Sequence, residues 1–139
     1  MPYKIVFCDA PTTEIRAAIA RPLISYNESH VGPSDHSQLV IQIEDGDGKV
    51  VGGLWGYTRA GWLYTELLAA PSGNCNLGFG RLMMEKAEHE ARRRGCIGAW
   101  VDTHSFQAPE FYEKLGYKVF GELDNFPPGH RRIFFYKYL

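Results

Sequence analysis

The stretch Trp62–Gly95, WLYTELLAAPSGNCNLGFGRLMMEKAEHEARRRG, constrains this chain more than any other. It reads as a strand over Trp62–Ala69, a loop that turns on glycines, and a helix from Gly78 to Arg94. The loop closes on Gly78-Phe79-Gly80, where the helix begins. The first N–H groups of a helix have no intrahelical acceptor and point the same way, so such a start accepts an anion, above all a phosphate. The rest of the chain is then expected to frame a phosphate-bearing ligand.

Several classes are set aside by the totals. At 139 residues the chain is expected to form a single domain, residues 1–139, large enough to bury a core. Fifteen basic side chains against sixteen acidic ones leave a net charge of −1, which gives no support for nucleic acid or an anionic membrane as the main partner. No run is long and apolar enough to span a membrane, and MPYKIVFCDA lacks the regions of a signal peptide, so a cytoplasmic location is expected. Cys8, Cys75 and Cys96 are widely spaced and suggest neither a disulfide framework nor a zinc site. As a calcium loop Asp45-Gly46-Asp47-Gly48 fails because Lys49 stands where an oxygen ligand is needed, and no metal is expected.

Taken in order, Tyr3–Cys8 reads as a short strand. Thr12 or Thr13 caps a following helix with Glu14 in its first turn, and Ile15, Ala18, Ile19, Leu23 and Tyr26 share one face. Pro22 predicts a kink or a new start near Arg21, and Asn27–Ser37 a polar loop. From Leu39 the period becomes two, with Leu39, Ile41 and Ile43 facing one way. The DGDG turn leads into a second strand over Val50–Thr58, where Gly52, Gly53 and Gly56 leave room for something close to its backbone.

Trp62–Ala69 follows in antiparallel succession. The long helix is expected to bury Phe79, Leu82, Met83, Ala87 and Ala91, with Glu88–Arg92 and Glu90–Arg94 as exposed pairs and Arg92–Arg94 as a solvated end. Gly95 suits a left-handed cap. Ile97–Thr103 reads as a central strand, Pro109–Leu115 as a short helix stopped by Gly116, and Tyr117–Glu122 and Arg132–Leu139 as closing strands. The order β-α-β-β-β-α-β-α-β-β predicts an α/β (α+β) fold with one mixed sheet flanked by helices.

At three points the chain resembles the GNAT superfamily of acetyl-coenzyme A-dependent N-acetyltransferases. Glu66-Leu67-Leu68-Ala69-Ala70 is similar to its central strand, which ends on the cofactor. Cys75 to Gly80 resembles its pyrophosphate loop, Q/R-x-x-G-x-G/A. Ala108-Pro109-Glu110-Phe111-Tyr112-Glu113-Lys114-Leu115-Gly116-Tyr117 resembles the A-x-x-x-Y-x-K-x-G-F/Y helix with the leaving-group tyrosine. Leu23–Ser34 and the stretch from Asp102 to the PPGHRR segment are similar to an uncharacterised bacterial subgroup. The loop departs from the pattern: Cys75 stands where Gln or Arg is usual, and Asn76 where Gly is usual. Asn tolerates the left-handed region better than most residues, so weaker cofactor binding is expected, not its loss.

The resemblance implies a mostly antiparallel sheet with a central parallel pair that splays apart, here Trp62–Ala69 and Ile97–Thr103. The pantetheine arm of acetyl-CoA, the cosubstrate, would lie between them. Backbone groups of Leu68, Ala69 and Ala70 would pair with the arm, and amides of Asn76, Leu77, Gly78, Phe79, Gly80 and Arg81 would hold the pyrophosphate. Acetyl transfer to an amine needs a proton acceptor, donors to the thioester oxygen, and a proton for the sulfur. Tyr112 is the candidate acid, against the alternative of plain packing with Phe111 and Tyr117. Glu66 is the candidate base, as a buried strand carboxylate that must be used or paired, against an ion pair with an arginine. His104 and Asp102 are rival proton acceptors.

Tyr26, Asn27, His104, Gln107 and His130 are the candidate acceptor contacts. Cys75 has no basic partner that would make it a nucleophile. The expected activity is transfer of an acetyl group to a primary amine of a small molecule by direct attack. A non-catalytic acyl-CoA-binding module is the alternative, and pairing of Ile133-Phe134-Phe135-Tyr136 across a two-fold axis would make a homodimer.

Overall fold

The computed structural model describes residues 2–71 and 78–139. The chain divides at Ser34/Asp35 into two compact units. In the first, α1 spans Thr13–Val31, and the Thr12 hydroxyl caps it by accepting from the Ile15 N–H at 3.2 Å. Two expectations fail here. Tyr3–Cys8 is not a strand, since its unit offers no second strand to pair with, and Tyr3, Ile5, Val6 and Phe7 are exposed. The polar loop expected from Asn27 is helical as far as Val31. Pro22 lies inside this one helix, where it removes one rung of the ladder, and the helix runs on to a left-handed Gly32 (φ 80°), whose N–H reaches the Glu28 carbonyl at 3.0 Å.

The described residues of the second unit form six strands: β1 Ser37–Glu44, β2 Val50–Arg59, β3 Trp62–Ala69, β4 Gly98–His104, β5 Lys118–Asp124 and β6 Arg131–Tyr138. Helix α2 spans Phe79–Arg93 between β3 and β4, and α3 spans Glu110–Lys114 between β4 and β5. The sheet order is β1-β2-β3-β4-β6-β5, and every pairing is antiparallel except β3 with β4. This is the mixed, mostly antiparallel sheet with one parallel pair that the sequence predicts. Strand β6 is hydrogen-bonded to β4 on one side and β5 on the other. Its backbone has no free edge, so it cannot pair with a second copy in the way the sequence suggested.

Alternation decides the core. Leu39, Leu54, Leu63, Ala99, Val101, Ile133 and Phe135 are buried, and with them lie Met83, Met84, Ala87 and Ala91 of α2 together with Tyr112 and Tyr117. Glycine permits the closest approaches between strands. A Cβ on Gly56 would stand 2.2 Å from the Tyr64 carbonyl oxygen, and one on Gly53 2.3 Å from that of Ile41. What lies against these glycines is therefore the neighbouring strands themselves.

The buried stripe of α2 is rotated from expectation: Leu82 is exposed, while Met84 and Glu88 are buried. Glu88 makes no exposed pair with Arg92. Its carboxylate accepts from the Tyr117 hydroxyl at 2.9 Å and from Lys137 Nζ at 2.7 Å, and Lys137 also donates to the Leu115 carbonyl. Glu90 pairs with Arg94 as predicted, and with Arg93. Arg94 is not simply solvated: it reaches the Ser37 and Gln38 carbonyls and the Thr58 hydroxyl. Gly95 closes the helix in the left-handed region (φ 86°).

Removing Glu88 strands a half-buried ammonium and a buried phenol. Glu88→Ala is expected to lower the unfolding free energy in urea by about 3 kcal/mol, whereas Glu90→Ala on the solvent side leaves the midpoint nearly unchanged.

Candidate active site

Strands β3 and β4 run parallel from Trp62↔Gly98 to Thr65↔Val101, and there the pairing stops. Both strands continue, β3 to Ala69 and β4 to His104. The cause lies on β3. Its register with β2 jumps from Gly56↔Thr65 to Trp55↔Leu67, which makes Glu66 the extra residue of a bulge. A bulge bends its strand, while β4 stays straight along β6 through Asp102↔Phe134, Thr103↔Ile133 and His104↔Arg132. Past Thr65 the facing edges of β3 and β4 are free of each other. Such edges can take an extended chain as an added strand. Leu68 and Ala69 lie on this part of β3, and Ala70 directly follows it.

Helix α2 begins just beyond. Gly78 is its N-cap in the left-handed region (φ 76°), and neither a capping side chain nor an acidic residue occupies its first turn. The N–H groups of this turn, from Phe79 through Arg81, fit an anion. Gly80 has a second duty, because a Cβ there would stand 3.0 Å from the Phe111 ring. The glycine lets the start of α2 close against α3. Arg81 is turned to Glu85 at 3.2 Å on the surface. Cys75, Asn76 and Leu77 lie outside the described residues.

Tyr112 sits on α3, buried, with its ring 5.1 Å from Phe111, 6.0 Å from Tyr117 and 5.7 Å from Phe135. Phe135 pairs in register with Val101, the residue at which the parallel strands part. Tyr112 thus joins the packing cluster the alternative reading foresaw, and that cluster lies beside the opening. Burial first, then the Asp102 charge, push its phenol up to about 12, so it stays protonated at neutral pH.

The carboxylates differ from expectation. Glu66 is exposed, since the bulge turns it out of the ladder, and among the described residues it has no ion pair. Its charge helps raise the Tyr64 phenol, but only weakly beside burial and Asp102. Asp102 is the engaged one. It accepts from the Tyr64 hydroxyl at 2.7 Å and from Arg132 Nε at 2.7 Å, with Arg132 Nη2 on the same oxygen. The Arg132 guanidinium lies 4.7 Å from the Phe126 ring centre and 5.5 Å from that of Phe134. Both Asp102 oxygens are thus engaged by protein donors. Alternation along β3 and β4 places Tyr64 and Asp102 on one face, but the register that joins them to Arg132 has no signature in the sequence.

His104 closes β4. Its Nδ1 lies 3.1 Å from the Phe126 carbonyl, and its ring stacks on Phe106 at 5.2 Å. A carbonyl only accepts, so Nδ1 carries the proton and Nε2 is left as the basic atom of the neutral ring. Gln107 serves the backbone: its side-chain oxygen accepts from the His104 N–H at 2.9 Å and from the Thr103 hydroxyl at 3.2 Å, closing the turn after β4. His130 is exposed and meets Phe106 edge-on at 5.0 Å. Tyr26 and Asn27 belong to the last turns of α1, where the Tyr26 carbonyl accepts from the Ser29 hydroxyl.

An opening between two parallel strands, with an uncapped helix start and a protonated tyrosine beside it, has counterparts. Residues 9–117 match the Acetyltransferase (GNAT) family. An acetyltransferase of Agrobacterium fabrum, Atu2258, is 40% identical over 120 residues, which is 86% of this chain and 88% of that protein. The chain belongs to the GNAT acetyltransferase family. A blasticidin-S acetyltransferase of Streptomyces morookaense is 40% identical over 83 residues, 59% of this chain and 61% of that protein. A crystal structure from Agrobacterium tumefaciens, assigned as an acetyltransferase, superposes with a TM-score of 0.91 at 36% identity, covering 99% of this chain and all of that one. This GNAT protein is accordingly an acetyl-transferring enzyme. No helix among its described residues is long and apolar enough to cross a membrane.

Tyr64, Tyr112 and Tyr117 all have phenols raised above their ordinary value of about 10, chiefly by burial. Each stays neutral longer when folded than when unfolded, so its contribution to stability is whole below pH 10; that of Tyr112 is lost as pH climbs through about 12, and those of Tyr64 and Tyr117 at still higher pH. Absorbance titration at 295 nm is expected to leave three phenols un-ionised at pH 11 in the folded acetyltransferase and none after unfolding in urea. The unfolding free energy should fall over the same interval.

Proposed function

We propose that this acetyltransferase moves the acetyl group of acetyl-CoA to a primary amine of a small molecule by direct attack. The reading rests on one observation above all, the end of β3–β4 pairing at Thr65↔Val101 beside the start of α2. The pantetheine arm lies along the freed edges of Leu68–Ala70 and β4, and the pyrophosphate lies on amides from Asn76 through Arg81. The acceptor nitrogen attacks the thioester carbon, a C–N bond forms, and the C–S bond breaks. Tyr112 gives its proton to the departing sulfur. Glu66 takes the proton of the amine, directly or through water, which its exposure at the bulge allows. A small acceptor is favoured by the blasticidin-S acetyltransferase relative, whose name states such a substrate. A cytoplasmic location suits acetyl-CoA as cosubstrate.

His104 is the rival base, favoured by an imidazole whose Nδ1 is committed to the Phe126 carbonyl and whose Nε2 is free to accept. His104 and Gln107 are the acceptor-side residues of this proposal, with Gln107 acting through the loop it closes.

Calorimetric titration with acetyl-CoA tests the cofactor, and absence of heat at millimolar ligand would refute it. Tyr112→Phe is expected to lower kcat about 10²-fold or more with little change in acetyl-CoA affinity. Unchanged turnover would remove its role. With an amine that turns over, the pH–rate profiles of Glu66→Gln and His104→Ala separate the two bases, because only the variant lacking the true base loses its acidic limb.

A further inference from the structure

Among the described residues, four polar or charged side chains are buried: Thr58, Thr65, Glu88 and Thr103. Three are satisfied. Thr58 Oγ1 accepts from Arg94 at 3.1 Å, Thr103 Oγ1 donates to Gln107 at 3.2 Å, and Glu88 holds Tyr117 and Lys137. The Thr65 hydroxyl, 4% exposed as a residue, is the only buried side-chain oxygen or nitrogen among the described residues without a partner. A buried hydroxyl with no hydrogen bond is a net cost to the fold, on the order of 1–3 kcal/mol, and valine would fill the same space without it. Native proteins leave few such groups, and each one calls for a reason.

Its position supplies one. Thr65 is the last residue of β3 paired to β4, directly before the bulge at Glu66 that parts the strands. It shares the buried side of the sheet with Val101 and Phe135, against whose ring Tyr112 packs. We propose that the Thr65 hydroxyl is reserved for the acyl-CoA: when the pantetheine arm enters between β3 and β4, Oγ1 donates to a carbonyl oxygen of the arm or of the thioester. Rotation about one side-chain bond brings Oγ1 to any of three staggered positions, so the group can turn to meet the ligand. This inference rests on the acetyl-CoA reading of the opening. It adds that one side chain at the fork registers the arm along the strands, at the expense of stability in the free protein.

Thr65→Val and Thr65→Ser test it, with thermal melting of the free proteins and calorimetric binding of two probes. One probe is acetyl-CoA. The other is 3′-phosphoadenosine 5′-diphosphate, which has the nucleotide and no pantetheine. Thr65→Val is expected to melt a few degrees higher, to bind acetyl-CoA about five- to tenfold more weakly, and to bind the nucleotide as the wild type does. Thr65→Ser, which keeps the hydroxyl, restores acetyl-CoA affinity. A lower melting temperature for Thr65→Val would show that the hydroxyl has a protein partner and overturn the inference. Equal acetyl-CoA affinity, or equal weakening of both probes, would overturn it as well. If the wild type binds acetyl-CoA and Thr65→Val binds it alike, Thr65 alone is refuted; a wild type that binds no acetyl-CoA refutes the cofactor reading with it.

Discussion

One extra residue in one strand governs the geometry of this protein. With Glu66 inserted opposite the Trp55–Gly56 step, β3 can keep its ladder with β2 only by bending, and it bends away from β4. Strand β4 cannot follow, because β6 holds it over its whole length. A single sheet therefore contains a fork, open on two edges of unpaired backbone. In the core of a sheet such edges are normally a liability. Here both the anion-accepting end of α2 and the tyrosine of α3 stand beside it, so the fork reads as a place kept for an extended ligand.

The sheet also separates two chemical environments. On the side covered by α2 and α3, apolar packing keeps Tyr112 protonated far above neutral pH, which suits an acid. Charged and polar groups line up differently around Asp102, where a carboxylate is fixed by a phenol and a guanidinium that is itself held between two rings. Glu66 stays in water at the bulge. Environment, more than residue type, sorts these groups, since burial raises the Tyr112 phenol while the bulge leaves the Glu66 carboxylate in solvent.

Much of this was legible because it depends on local periods. The period of two in Leu39–Ile43, the limits of β3, the cap at Thr12 and the left-handed stop at Gly95 are set by neighbours in sequence. Failures fall where distant partners decide. Tyr3–Cys8 has β-forming residues and no strand to join. Asn27–Val31 is polar enough to read as loop, yet it continues the helix. The buried face of α2 was misjudged by about one position because Glu88 looked like a surface charge. Only the approach of Tyr117 and Lys137, 29 and 49 residues away, makes its burial tolerable. Glu66 reads in the sequence as a buried strand carboxylate, whereas it is the extra residue of a bulge and exposed, and nothing in the local pattern foretells a bulge.

Those distant partners also bear on function. A helix start accepts a diphosphate usefully only if it is aimed, and α2 is tied down along its length. Arg94 fastens its far end to the carbonyls of Ser37 and Gln38 and to Thr58, on β1 and β2. Glu88 fastens its middle to Lys137 on β6 and to Tyr117, which follows α3. Gly80 lets its first turn settle on Phe111. The same Lys137 reaches the carbonyl of Leu115 at the end of α3, so the helix that carries Tyr112 and helix α2 share one anchor. Arginines and a glutamate that resemble solvent-facing decoration thus fix the start of α2 relative to α3 and its Tyr112. The fork between β3 and β4 opens beside both helices.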